Sequence, residues 1–103
     1  MIREVTVDEL AALLPGVTLV DVRNPDEFEE ARVPGGVLVP LGELPERVDD
    51  IPDDRTVYLI CRSGARSMRA AEFLAAEGRD VVNVEGGTLA WVASGRPVDS
   101  GNP

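Results

Sequence analysis

The sequence predicts one α/β domain with a mainly parallel central sheet of about five strands and helices on both faces. Strand-like and helix-like runs alternate along the whole chain, which is the pattern of parallel strands joined by crossover helices. Residues 17–22 are almost continuously apolar, as expected for a strand that is covered on both faces. The length of 103 residues supports a single hydrophobic core.

Local signals set the order of elements in the first half of the chain. Thr6-Val7-Asp8-Glu9 is a capping box, and Pro15-Gly16 ends the helix that it begins. Asn24 is an N-cap candidate followed by Pro25 at the first helical position. The elements expected are a short strand near residues 4–5, a helix over 7–14, a strand over 17–22, a helix from 25 to about 31, a strand over 37–39 and an irregular helix over 41–48.

The second half of the chain continues the alternation. A strand over residues 56–60 precedes a helix over 67–77, which Gly78 ends. A strand over 81–84 and a helix over 88–94 follow. We therefore assign residues 1–98 to the domain and expect residues 99–103 to form a loose C-terminal tail.

Composition excludes several classes of chemistry. The chain has no His, and all ten of its basic residues are Arg. A His general base, a His-ligated metal site, a Lys Schiff base and a Walker-A Lys are therefore absent. The single cysteine excludes an internal disulfide and a Cys-rich zinc site, and it fits a reducing compartment. We expect no metal and a cytoplasmic location.

Charge and hydropathy narrow the possible partners. The net charge of −9 opposes binding to nucleic acid or to anionic lipid. We expect no signal peptide before the first helix, and no apolar run approaches the roughly 18 residues that a membrane span requires. We expect neither a nucleic-acid nor a membrane partner, so a bound anion would need a local positive site.

That positive site is predicted at residues 61–67, between a buried strand and a helix N-terminus. Backbone N–H groups converge in such loops, and the helix dipole adds positive potential. Cys61 at the focus is expected to be a reactive thiolate rather than a buried apolar cysteine, because Arg62 and Arg66 follow it closely. The residues expected to surround a bound substrate are Arg62, Ser63, Gly64, Ala65, Arg66 and Ser67.

The chain resembles a single-domain rhodanese over roughly residues 5–98. The residues that carry the resemblance are Leu19-Val20-Asp21-Val22-Arg23, Pro25-Asp26-Glu27-Phe28, Val33-Pro34-Gly35-Gly36, Cys61-Arg62-Ser63-Gly64-Ala65-Arg66-Ser67, Glu85-Gly86-Gly87-Thr88-Leu89-Ala90-Trp91, Gly95 and Pro97-Val98. The resemblance implies that Cys61 takes sulfur from thiosulfate or another sulfane donor and holds it as a covalent persulfide, without a separate cofactor. The acceptor would be cyanide, glutathione, a thioredoxin-like protein or another thiol. Arg32 stands where many relatives have His.

Several residues receive supporting or structural roles. Asp21 and Arg23 end a strand, and we interpret them as a cap or an ion pair near the loop. Gly86, with Gly87, is expected to allow close backbone approach beside Cys61. Trp91 is assigned to the core or to a pocket wall. The acidic residues within 49–54 are interpreted as a solvated turn.

Two alternatives to the thiosulfate sulfurtransferase stay open. The first is a persulfide carrier that delivers sulfur to a specific partner protein. The second is a phosphatase or an arsenate reductase, because the rhodanese fold that this chain resembles is shared by dual-specificity phosphatases. Those enzymes have five residues between the catalytic Cys and the Arg of the loop. Here four residues separate Cys61 from Arg66, and the shorter loop favours a single sulfur atom.

Because both Arg62 and Arg66 flank the thiol, we expect either or both to face the sulfonate of thiosulfate.

Overall fold

A computed structural model describes residues 1–102 as a five-stranded sheet flanked by four α-helices. The strands are β1 (Arg3–Val5), β2 (Thr18–Asp21), β3 (Val37–Leu38), β4 (Val57–Ile60) and β5 (Val81–Val84). The helices are α1 (Val7–Leu13), α2 (Pro25–Glu30), α3 (Ala65–Ala76) and α4 (Gly87–Ala93), with 3-10 turns at Leu41–Glu46 and Val48–Asp50. The strand order is β1-β5-β4-β2-β3 and every pairing is parallel, which confirms the predicted fold class.

The strand register gathers the predicted site at one edge of the sheet. Asp21 pairs with Ile60 between β2 and β4, and Leu59 pairs with Asn83 between β4 and β5. Because all strands are parallel, the loops that leave their carboxyl ends lie at the same edge. The loop that starts at Cys61 therefore lies between the segments that follow β2 and β5.

The core has two parts, one on each face of the sheet. Leu59 belongs to the part that includes Leu74 of α3, whereas Ile60 belongs to the part that includes Leu10 of α1 and Trp91 of α4. Successive residues of a strand point to opposite faces, so β4 supplies a buried side chain to each part. The nearly continuous apolar sequence of the central strands follows from this double coverage.

Helix α3 begins at Ala65, two residues earlier than the sequence indicated. Gly64 precedes it in the left-handed conformation, with φ +108°, which a residue without a Cβ adopts readily. The first turn of α3 therefore includes Ser67, and it starts immediately beside the sulfur of Cys61. The irregular helix expected over residues 41–48 is a pair of 3-10 turns, the first of which contains Pro45.

The expectation of a loose tail is wrong for residues 99–101. Arg32 and Asp99 exchange two backbone hydrogen bonds of 2.9 and 3.0 Å, and the Gly101 N–H donates to the Glu29 carbonyl at 2.7 Å. The Arg32 guanidinium also donates to the Gly101 carbonyl at 2.8 Å. These contacts fasten the tail to the end of α2, while Pro103 lies outside the described residues.

Among residues 1–102, no helix is long and apolar enough to cross a membrane.

Candidate active site at the Cys61 loop

The sulfur of Cys61 lies inside the turn that joins β4 to α3. The side chain is buried, with 1 % of the residue exposed. The Gly64 N–H donates to Sγ at 3.1 Å, and the Ser67 hydroxyl lies within donating distance at 3.3 Å. Both donors come from the start of α3, so the loop and the helix terminus together surround the sulfur.

Two opposing effects set the acidity of this thiol. Burial raises the pKa of Cys61, because it removes water from the thiolate. Hydrogen bonds from the Ser67 hydroxyl and from the backbone N–H groups of Ser67, Gly64 and Ser63 lower it, and together they outweigh the burial. The pKa of Cys61 therefore lies below the ordinary thiol value, as the helix-terminus position predicts.

Helix α4 holds the loop from the opposite side. The Thr88 N–H and hydroxyl donate to the Cys61 carbonyl at 2.9 and 3.1 Å, and the Leu89 N–H donates to the Arg62 carbonyl at 3.0 Å. The close approach expected from the Gly86-Gly87 pair falls at Gly87. A Cβ there would overlap the Cys61 carbonyl oxygen and lie 2.6 Å from that of Arg62, while Gly86 caps α4 with φ +78°.

Asp21 and Arg23 form the expected ion pair at the end of β2. Arg23 Nε lies 3.0 Å from Asp21 Oδ1, Nη2 lies 2.8 Å from Oδ2, and both side chains are buried. Arg23 also donates to the Ala31 carbonyl at 2.8 Å. This pair connects the end of β2 to the end of α2. The Arg23 charge is balanced by Asp21 inside the fold.

Arg66 is also held in an ion pair, with Glu27 of α2. Its Nη1 and Nη2 donate to Glu27 Oε1 and Oε2 at 2.7 and 2.8 Å. The hydrogen bonds from Arg66 lower the pKa of Glu27 to about 2 against the opposing effect of burial. Glu27 also accepts the Asn24 N–H at 3.1 Å, so one carboxylate joins the start of α2 to α3.

Arg62 is the remaining cation of the loop. Its side chain is exposed, and it forms no ion pair within residues 1–102. It lines a cavity of about 270 Å³ beside the loop. The cavity is lined by Arg23, Glu27, Glu30, Ala31, Arg62, Thr88, Leu89 and Val92. Ser63 and Ala65 are exposed, and Ser63 contributes to the site through its backbone N–H.

Comparison with known proteins identifies the family. Residues 6–94 match the rhodanese-like domain. The chain belongs to the rhodanese-like domain family.

Similar rhodanese-like proteins cover nearly all of the chain. A sulfurtransferase of Allochromatium vinosum is 37 % identical over 102 residues, which is 95 % of each protein. The crystal structure of a rhodanese-related protein from Thermoplasma volcanium has a TM-score of 0.90 at 33 % identity and covers 94 % of this chain and 97 % of that chain. A thiosulfate sulfurtransferase from Pseudomonas aeruginosa has a TM-score of 0.87 at 30 % identity and covers 98 % of this chain and 21 % of that chain. These similarities support a sulfur-transfer activity.

Other conspicuous residues of this rhodanese-like domain have structural roles. Trp91 is buried, and its Nε1 donates to the Pro97 carbonyl at 2.9 Å. The Arg32 guanidinium lies 4.8 Å from the centre of the Phe28 ring and binds the Phe28 carbonyl, so the residue that replaces the common His supports the tail. In the acidic turn, Asp50 and Asp54 form ion pairs with neighbouring arginines.

Three residues that contact the site had no site role predicted from the sequence. Thr88, Glu27 and Asn83 all contact the loop or α3. Thr88 and Glu27 belong to the family motifs, but their partners lie 27 and 39 residues away. The sequence signal for Asn83 is that it is the only polar residue of the apolar run 81–84.

Proposed function

We propose that the protein is a sulfurtransferase that takes sulfane sulfur from thiosulfate, or from a similar donor, onto Cys61. The persulfide then passes its outer sulfur to cyanide, glutathione or a protein thiol. One observation carries this proposal: the Cys61 sulfur accepts hydrogen bonds from the Gly64 N–H and from Ser67 at the start of α3. Donors placed there favour the Cys61 thiolate before the first transfer, and they stabilise it again when it leaves the persulfide in the second.

The transfer balances without a metal or a redox cofactor. The Cys61 thiolate attacks the outer sulfur of thiosulfate, the sulfur–sulfur bond breaks, and sulfite leaves with the electron pair. A cyanide ion or a thiolate then attacks the outer sulfur of the persulfide. The Cys61 sulfur leaves as a thiolate, and the product is thiocyanate or the acceptor's persulfide. Cys61 is the attacking thiolate of the first step and the leaving thiolate of the second, so hydrogen bonds to its sulfur assist both steps.

Arg62 supports an anionic donor. Its guanidinium is exposed beside the loop and lines the cavity next to it, whereas Arg66 is held by Glu27. One unpaired guanidinium can hold a sulfonate oxygen through charge-assisted hydrogen bonds. A thiol-dependent cycle also suits the reducing environment of the cytoplasm, where we place the protein.

The loop favours sulfur transfer over phosphoryl transfer. Its donors already lie 3.1 and 3.3 Å from the sulfur atom itself. A phosphatase loop must instead direct its N–H groups at the oxygens of a tetrahedral anion beyond the sulfur. The four-residue spacing between Cys61 and Arg66 therefore matches a site for one added sulfur.

Intact-mass measurement after incubation with thiosulfate tests the proposal. We expect the protein to gain one sulfur atom and to lose it on addition of cyanide, with release of thiocyanate. Cys61→Ala is expected to gain none, because the chain has no other thiol. A wild-type protein that stays unmodified with thiosulfate contradicts the donor assignment. A protein that loads sulfur but transfers it to neither cyanide nor glutathione supports the carrier alternative.

A further inference from the structure

Asn83 is a polar residue in a strand that is otherwise apolar and buried. Its neighbours in β5 are Val81, Val82 and Val84, and Asn83 itself is 1 % exposed. A valine at this position would fit the core without a hydrogen-bonding requirement. The presence of an amide here therefore needs an explanation in its contacts.

The amide of Asn83 connects β1 to the cap of α3. Its Nδ2 donates to Glu4 Oε2 at 2.9 Å and to the Gly64 carbonyl at 3.3 Å. Because both partners are oxygen atoms, they fix which end of the amide is the nitrogen. Asn83 Oδ1 is buried and has no hydrogen-bond partner within residues 1–102. A buried acceptor without a partner costs stability. The two hydrogen bonds that the NH2 group donates are therefore the reason for an amide at this position.

The Gly64 carbonyl has more potential donors than it can accept. The Met68 N–H donates to this oxygen at 3.1 Å, and Asn83 Nδ2 donates to it at 3.3 Å. A carbonyl oxygen has two lone pairs, so these donors fill it. The Ser67 hydroxyl lies 3.3 Å from this same oxygen and 3.3 Å from the Cys61 sulfur. It has one proton and can donate to only one of them.

We propose that Asn83 is a positioning residue of the sulfur-transfer site, which keeps the Gly64 carbonyl occupied and so directs the Ser67 hydroxyl proton to the Cys61 sulfur. The inference rests on the proposed function, because it concerns the sulfur that reacts there. Without the amide, the Gly64 carbonyl accepts the Ser67 proton instead. The Cys61 sulfur then loses one of its donors, although Asn83 never touches it.

The charged groups around Cys61 are separate from this arrangement. They are Arg62 in the loop, Arg66 on α3, Asp21 and Arg23 after β2, and Glu27 on α2. Helix α4, Gly87–Ala93, contributes no charged side chain. Asn83 instead contacts Glu4 of β1, on the other side of its amide. A substitution at Asn83 therefore leaves every charge facing Cys61 in place.

The rate of Cys61 alkylation as a function of pH tests the role of Asn83. We expect Asn83→Val to move the inflection upwards by about one pH unit, the scale of one hydrogen bond to a charged group. The plateau rate at high pH should not fall and should rise by at most about three-fold, because a fully formed thiolate of higher pKa is a somewhat stronger nucleophile. Val81→Ala is the matched control: it lies on the same strand in the core part packed by α3, and it should leave the inflection unchanged.

Combination with Ser67→Ala separates a positioning role from a general structural one. Ser67→Ala alone should raise the inflection, and adding Asn83→Val should raise it no further. The proposal is overturned if Asn83→Val leaves the inflection in place, or if it shifts the inflection equally in both backgrounds. Asn83→Ala provides the same comparison if valine prevents folding.

The proposed function is checked separately on the same proteins. Sulfur loading from thiosulfate is measured by mass, whereas alkylation requires no sulfur donor. A wild-type protein that fails to load defeats the proposed function and leaves the alkylation comparison intact. Normal loading by the wild type together with unchanged alkylation of Asn83→Val defeats only the role of Asn83.

Discussion

The carboxylate of Glu27 and the guanidinium of Arg66 form a bidentate ion pair between α2 and α3. The Nη1–Oε1 and Nη2–Oε2 distances are 2.7 and 2.8 Å. The two residues lie 39 positions apart in the chain. This contact holds the second arginine of the Cys61 loop and stabilises the start of two helices at once. Arg62 is the arginine of the loop that forms no ion pair within residues 1–102.

Glu27→Gln should destabilise the protein in a pH-dependent way. The pKa of Glu27 falls from 4.5 to about 2 on folding, so the carboxylate stabilises the folded state above about pH 4.5. That contribution is lost as pH falls from about 4.5 towards 2. The difference in unfolding free energy between wild type and variant should therefore be largest above about pH 5 and should narrow at lower pH.

Urea unfolding at a series of pH values measures this difference. Glu30→Gln is the control, because it removes an exposed carboxylate of the same helix that forms no ion pair within residues 1–102. Its stability should stay close to that of the wild type throughout. A Glu27→Gln deficit that does not change with pH contradicts the ion-pair explanation.

Arg62→Gln should weaken the use of thiosulfate more than the use of a monoanionic donor. The unpaired guanidinium is expected to hold the sulfonate end of the dianion, so its loss should lower kcat/KM for thiosulfate by roughly 10- to 100-fold. The kcat/KM for 3-mercaptopyruvate should fall less. The ratio of the two values in wild type and variant is the measurement.

Arg69→Gln is the control for net charge. It removes the same charge from an exposed position on α3. Equal effects of the two substitutions on the ratio would mean that overall charge, rather than a contact from Arg62, determines donor preference.

Gly87→Ala should damage both stability and sulfur transfer. Gly87 has φ +58°, and a Cβ there would overlap the carbonyl oxygens of Cys61 and Arg62. The backbone of the loop must move to admit it, so we expect a loss of about 3 kcal/mol or more and slow sulfur loading. Gly95→Ala is the control, since Gly95 has φ +79° but open space around it.

Thermal unfolding and mass-detected sulfur loading compare the two alanine variants. Gly95→Ala should lose only about 1–2 kcal/mol, the cost of the left-handed conformation alone, and should load sulfur like the wild type. Normal loading by Gly87→Ala would show that the contact between α4 and the loop is not needed for the reaction.

Much of the architecture was predictable because its causes are local. The apolar run of β4 and the following loop place Cys61 at a strand end, and the capping box of Thr6 begins α1 as expected. Apolar periodicity and caps act over a few residues, so they are visible in the sequence. The start of α3 was misplaced by two residues because the left-handed conformation of Gly64 permits an earlier helix.

The sequence by itself determined that a thiol would lie at the junction of a buried strand and a helix. Only the tertiary structure decided which groups would surround it. Arg66 could have faced a donor or a carboxylate, and Glu27 is brought to it because the strands that precede α2 and α3, β2 and β4, are neighbours in the sheet. Asn83 reaches Gly64 because β5 is the neighbour of β4. Such contacts depend on which distant segments become adjacent, and the order of strands in the sheet decides that.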